Sequence, residues 1–135
     1  MRRPIGYTPQ AITTYFADVA DGLALRLMAD AGVDFARSKL KNDLPILAAA
    51  SPFKGGGRGG AEFYTDIPPG ALLARHVSDL YMFTNALVVL ELSGAQIETW
   101  LEVSARRFAQ LAPGRQDQPL LAGARPAYDF DMIPG

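Results

Sequence analysis

"SPFKGGGRGGAEFY", residues 51–64, places five glycines in six positions around a single arginine. Its reading decides between a nucleotide-cradling α/β fold and something else. The stretch contains a literal G-x-G-x-x-G in Gly55, Gly57 and Gly60. A Walker loop has to end in Gly-Lys-Ser/Thr, and this one runs into "GGAEF". A dinucleotide turn has to lead from a strand directly into a helix, whereas "EFYTDIPPG" is no helix start. Both are excluded. Two readings stay open: an anion-binding nest of glycine N–H groups with Lys54 and Arg58 supplying positive charge, or a surface loop without a ligand.

On the N-terminal side of the loop, "LPILAAAS" (44–51) is a short apolar run after a proline and predicts a buried strand. Before it, Leu23, Leu27, Ala31 and Phe35 recur every fourth residue. That spacing predicts a helix from about Asp21, as cap, to Leu40, with this stripe inward. "PIGYTP" (4–9) reads as extended chain, and "AITTYFADVA" (11–20) is ambiguous. On the C-terminal side, "DIPPG" (66–70) is turn chemistry, and residues 72–80 predict a short helical turn. "NALVVLELSG" (85–94) is the best strand in the chain. The best helix follows it, with Ile97, Trp100, Leu101, Ser104, Ala105 and Phe108 on one face and Trp100 in the core. "AYDFDM" (127–132) alternates as a strand does, with Tyr128, Phe130 and Met132 on one side. There are no internal repeats.

The composition closes off several functions. The 135 residues suffice for one domain with one core, and 49% hydrophobic with 20% charged residues is a globular balance. A net charge of −1 argues against a nucleic-acid polymer or an anionic membrane as partner. No cysteine is present, which removes disulfides, thiolate metal sites and cysteine nucleophiles. His76 is the sole histidine, so neither a histidine-rich metal centre nor a Ser/His/Asp arrangement can be argued. No apolar run reaches the ~18 residues of a membrane span, and "MRRPIGYTPQ" lacks the apolar core of a secretory signal. "YMFTN" (81–85) is the remaining motif. Phe83 is a base-stacking platform or a core residue, and Asn85 reads a base edge or caps a turn.

These stretches together resemble the C-terminal domain of the 5′-nucleotidase family of metallophosphoesterases. The resemblance runs through "PIG", "YFADVAD", "LPILAAASPFKGGGRGG", "YTDIPPG", "RHVSDLYMFTNALVV", "LSGAQIETWLEVSA" and "YDFDMI". It is nearest to the bacterial branch with 2′,3′-cyclic-nucleotide 2′-phosphodiesterase/3′-nucleotidase activity. The resemblance implies an α+β fold with a mixed sheet packed with helices, and residues 1–135 as a single partial domain truncated at its C-terminus. It implies no catalytic residue and no cofactor in this chain. Two divalent metal ions and the hydrolytic centre would belong to an N-terminal metallophosphoesterase domain absent from it. Phe83 matches the family's first base-stacking aromatic and Asn85 its polar neighbour. Gly55, Gly56, Gly57 and Arg58 match the loop lining the nucleoside pocket. Tyr64 stands where the 5′-nucleotidase branch has an arginine, which leaves Arg58 as the candidate cationic contact. The family's second stacking aromatic would lie past Gly135, and Pro134 stands where the family favours Asp. The implied partners are a nucleotide or nucleoside substrate and the metal domain, and the implied location is periplasmic. The alternative is a truncated, non-catalytic binding module that self-associates through an open sheet edge.

Overall fold

The computed structural model describes residues 3–17, 20, 22–56 and 59–105. They fall into two compact units, one running up to Ala86 and the other starting at Leu87.

The first unit is organised by a long-range pairing that two prolines interrupt. Strand β1 (Pro4–Thr8) runs antiparallel to β4 (Gly70–Leu73), and β2 (Ile12–Thr13) runs antiparallel to β3 (Asp66–Ile67). Pro68 and Pro69 have no N–H to donate, so the ladder cannot continue between β3 and β4. The result is two short two-stranded sheets in place of one longer ribbon. The register of β1 against β4 is irregular between Pro4 and Gly6. Thr14 and Thr65 extend the second pairing: the Thr14 N–H donates to the Thr65 carbonyl at 3.1 Å, and the Thr65 N–H donates to Thr14 Oγ1 at 2.9 Å.

Helix α1 (Leu23–Lys39) fills the span that the sequence assigned to it. Its N-cap is Gly22 in extended conformation, with no side-chain cap; Asp21, expected there, lies outside the described residues. Arg37 and Lys39 in the last turn complement the negative end of the helix dipole. The inward face differs from the expected one. Ala24, Leu25, Ala29, Val33 and Ala36 are buried, while Leu27 is exposed and Phe35 is 54% exposed. Both stripes have helical spacing, and small residues decide between them. Alanines let the helix approach β2 closely enough for Ala24 to join Ile12 and Ile67 in one cluster, to which Leu23, Leu72 and Leu80 add. Leu25 forms a second cluster with Ala17, flanked by Met28 and Ala50. Phe35 lies outside, with the Lys39 ammonium 5.5 Å from its ring centroid.

Residues 44–51 form no strand: they run as irregular chain, and most are only half-buried or exposed. Helix α2 (Ala74–Leu80) follows β4 directly, close to the expected short helical turn. The helix's last carbonyls meet the Tyr81 N–H, which donates to Val77 at 2.8 Å.

In the second unit α3 (Gly94–Ala105) forms as expected. A reciprocal cap starts it: the Ser93 N–H donates to Gln96 Oε1 at 2.8 Å, and the Gln96 N–H donates to Ser93 Oγ at 3.4 Å. Two expectations fail here. Residues 87–93 are not in a strand, and Leu87, Val88, Val89 and Leu90 are exposed, Val88 at 71%. β-branched composition favours a strand only where a neighbouring strand supplies hydrogen bonds and a packing face, and among the described residues none does. Trp100 is 39% exposed and not a core residue. The expected strand at 127–132 and Phe108 lie outside the described residues. The α+β class stands, as helices with small antiparallel sheets; the described strands form no mixed sheet.

The two helix stripes separate by stability. Leu25→Ala should cost about 2–4 kcal/mol, whereas Phe35→Ala should stay within about 0.5 kcal/mol of the parent. Urea unfolding monitored by circular dichroism checks both.

Candidate functional site

The glycine loop folds back on itself. Gly55 bridges antiparallel to Tyr64. The Gly56 N–H donates to the Phe63 carbonyl at 2.7 Å, and the Phe63 N–H donates to the Gly60 carbonyl at 3.1 Å. Gly56 is buried with φ of +71°, in the left-handed region. A Cβ placed there would stand 2.6 Å from the Tyr64 hydroxyl oxygen. Glycine is thus required twice at this position, by backbone conformation and by the close approach of a ring. Gly55, Gly56 and Tyr64 are brought together; Gly57 and Arg58 lie outside the described residues. The Tyr64 ring also meets Tyr15, with centroids 4.9 Å apart and planes tilted by 42°.

Three aromatics gather where this loop begins. Phe53 lies edge-on to Tyr81 at 4.6 Å and edge-on to Phe83 at 5.5 Å between centroids. Such perpendicular pairs are the electrostatically favoured ring geometry. Phe83 is 58% exposed, so it is not the core residue that one of its two readings required. Asn85, two residues on, donates from Nδ2 to the Tyr81 hydroxyl at 3.4 Å. Phe83 and Asn85 were legible as candidates. Phe53 and Tyr81 were not, although an aromatic two residues before the glycines and another two residues before Phe83 were available signals.

Lys54 forms an ion pair with Asp79, their side chains 19% and 34% exposed. The Lys54 ammonium also lies 5.7 Å from the centroid of Phe63. The Asp79 carbonyl accepts from Thr65 Oγ1 at 3.0 Å. His76 has a local structural task, its Nδ1 accepting from the Leu73 N–H at 3.2 Å. Nearby, the Tyr15 hydroxyl donates to Asp66 Oδ2 at 3.0 Å. That bond, with lesser contributions from desolvation and neighbouring charge, raises the Tyr15 pKa above the ordinary tyrosine value. Among the described residues no three His, Cys, Asp or Glu side chains converge to hold a metal ion. The chemistry on offer is an aromatic surface with an amide beside it.

A model of the family "5'-nucleotidase, C-terminal domain" matches residues 5–135. The chain belongs to this family. This 5′-nucleotidase C-terminal domain is 40% identical over 140 residues to the trifunctional nucleotide phosphoesterase protein YfkN of Bacillus subtilis (strain 168), covering 100% of the chain and 10% of that protein. It is 34% identical over 142 residues to the 2′,3′-cyclic-nucleotide 2′-phosphodiesterase/3′-nucleotidase of Salmonella typhimurium, covering 98% of the chain and 22% of that protein. The enzyme of the same name from Haemophilus influenzae is also 34% identical, with the same coverage. The chain thus spans about a tenth to a fifth of the length of the curated relatives it matches. No solved structure matches it. No helix among the described residues is long and apolar enough to cross a membrane.

Two measurements test the local geometry. Gly56→Ala should destabilise the domain by about 2 kcal/mol or more, since the left-handed conformation alone costs a side chain about 1–2 kcal/mol; thermal unfolding reads this. Tyr15 should ionise at higher pH than a free tyrosine, followed by absorbance near 295 nm, and Asp66→Asn should lower its midpoint. The raised folded-state value fixes the sign of the linkage. The contribution of the Tyr15–Asp66 bond is intact below the unfolded-state pKa and is lost as pH rises through the folded one.

Proposed function

We propose that this domain recognises the nucleoside part of the substrate of a phosphoester hydrolase that acts on 2′,3′-cyclic nucleotides and 3′-nucleotides. The observation that carries the reading is Phe83. It is a large aromatic left open to solvent and in edge contact with Phe53, and the Asn85 amide is bonded to Tyr81, the other ring on Phe53. An exposed ring stacks on any base, because every base has a π-face, and contributes about 1–3 kcal/mol. The amide adds a donor and an acceptor for a base edge. Gly55 and Gly56 follow Phe53 by two and three residues, which places the glycine loop next in the chain to the ring that Phe83 touches. Arg58 and Tyr64 complete the proposed substrate-binding set with Gly57.

The described residues do not fit the two divalent metal ions that the family resemblance implies for such hydrolysis. The chain has a single histidine, and the described residues hold no convergent ligand set. In this reading the metal chemistry belongs to a separate N-terminal metallophosphoesterase domain, with this domain as its substrate-holding partner, in a periplasmic setting within nucleotide breakdown. A second reading, self-association, is favoured by the exposed apolar chain at residues 87–90.

Adenosine titration of the chain by NMR tests the first reading. Phe83→Ala should weaken binding by about 5- to 100-fold, the loss of one stacking face, and by a similar factor for guanosine and cytidine. Equal binding by Phe83→Ala and the parent would overturn it. Light scattering on the same samples decides the second reading, which requires apparent mass to rise with concentration.

A further inference from the structure

We propose that the Lys54–Asp79 ion pair positions the aromatic surface: it sets where Phe53 holds Phe83, and so sets nucleoside affinity without touching the nucleoside. The inference rests on the nucleoside reading above and deepens it.

Residues 44–54 form no strand or helix, and backbone pairing resumes only with the Gly55–Tyr64 bridge. Phe53 nevertheless sits at defined distances from two rings that lie about thirty residues further along the chain. Lys54, its immediate neighbour, supplies the tie. Its ammonium is bound to Asp79, which stands two residues before Tyr81 and four before Phe83.

Asp79 is itself anchored. Its carbonyl accepts from the hydroxyl of Thr65, a residue 1% exposed whose N–H and carbonyl are both engaged with Thr14. A continuous chain of polar contacts therefore leads from the β2–β3 pairing through Thr65 and Asp79 to Lys54, and from there to the aromatic corner. The pair's partial shielding from water makes it more than a screened surface contact. Removing one partner would leave the other charge uncompensated and free the end of the segment that carries Phe53. Lys54 as a direct contact for a substrate phosphate is the competing assignment, and the existing pairing with Asp79 opposes it.

The experiment compares Lys54→Met, Asp79→Asn, the double variant and Lys54→Arg, using adenosine and 3′-AMP as probes. Asp79→Asn is nearly isosteric and leaves the carbonyl that Thr65 uses, so it carries the test if Lys54→Met does not fold. Each single variant should weaken both probes by the same factor, about 5- to 10-fold, and the double variant should be no weaker than either single. Lys54→Arg should bind within about twofold of the parent, because it keeps the pair. Ring-proton shifts of Phe53 and Phe83 in the free protein should move in Lys54→Met and Asp79→Asn and not in Lys54→Arg. Unchanged ring shifts and unchanged adenosine affinity in Asp79→Asn would overturn the inference. So would a Lys54→Met variant weakened for 3′-AMP alone, which would assign Lys54 to the phosphate. Phe83→Ala serves as the control. If it binds adenosine as the parent does, the nucleoside reading falls and takes the affinity claim with it, and the ring shifts alone then decide whether the pair places the rings.

Discussion

Thr65 is the joint on which the described part of the first unit turns. All three of its polar groups are used: the N–H and the carbonyl on Thr14, and the hydroxyl on the Asp79 carbonyl. A buried polar group is tolerated only when satisfied, so the three bonds are interdependent. Through them the N-terminal strand segment, the segment after the glycine loop and the end of α2 meet at one residue. The apolar cluster of Ile12, Ala24 and Ile67 adjoins it and supplies the area term that the hydrogen bonds by themselves do not.

The site inherits its shape from that joint. The β3 segment that follows Tyr64 is fixed by its pairing with β2, and Tyr64 in turn closes the glycine loop on Gly55 and fills the space above Gly56. The loop is therefore a built element, with a ring where a side chain at Gly56 would have to go. The opening choice between a phosphate nest and a bare surface loop gains a third answer for Gly55 and Gly56. The missing side chain at Gly56 serves the packing of the Tyr64 ring against the backbone.

Helix α1 shows how far pattern alone reaches. Its limits were legible to within a few residues, because a run without proline, followed by Asn42 and Pro45, leaves little else for the chain to do. Its phase was not. Leu23, Leu27, Ala31 and Phe35 make one stripe, and Leu25, Ala29, Val33 and Ala36 make another of the same period. The stripe with the larger side chains lost, because the partner is a short two-stranded sheet and close approach favours alanine. At residues 44–51 and 85–94 the error was of a different kind. Apolar, β-branched chain is compatible with a strand but forms one only if another strand is there to receive its hydrogen bonds.

The sequence by itself determined the class, the family and the two best helices, and it singled out Phe83 and Asn85 through the resemblance that "YMFTN" helps to carry. These are properties of local spacing and of residue identity along one stretch of chain. Tertiary structure alone decided which stripe of α1 is buried, that Tyr64 occupies the space over Gly56, and that Phe53 and Tyr81 belong with Phe83. It alone decided that Lys54 answers Asp79 across 25 positions of sequence. Each of these rests on contacts between separate segments of the chain, and no periodicity within either segment encodes the distance to the other.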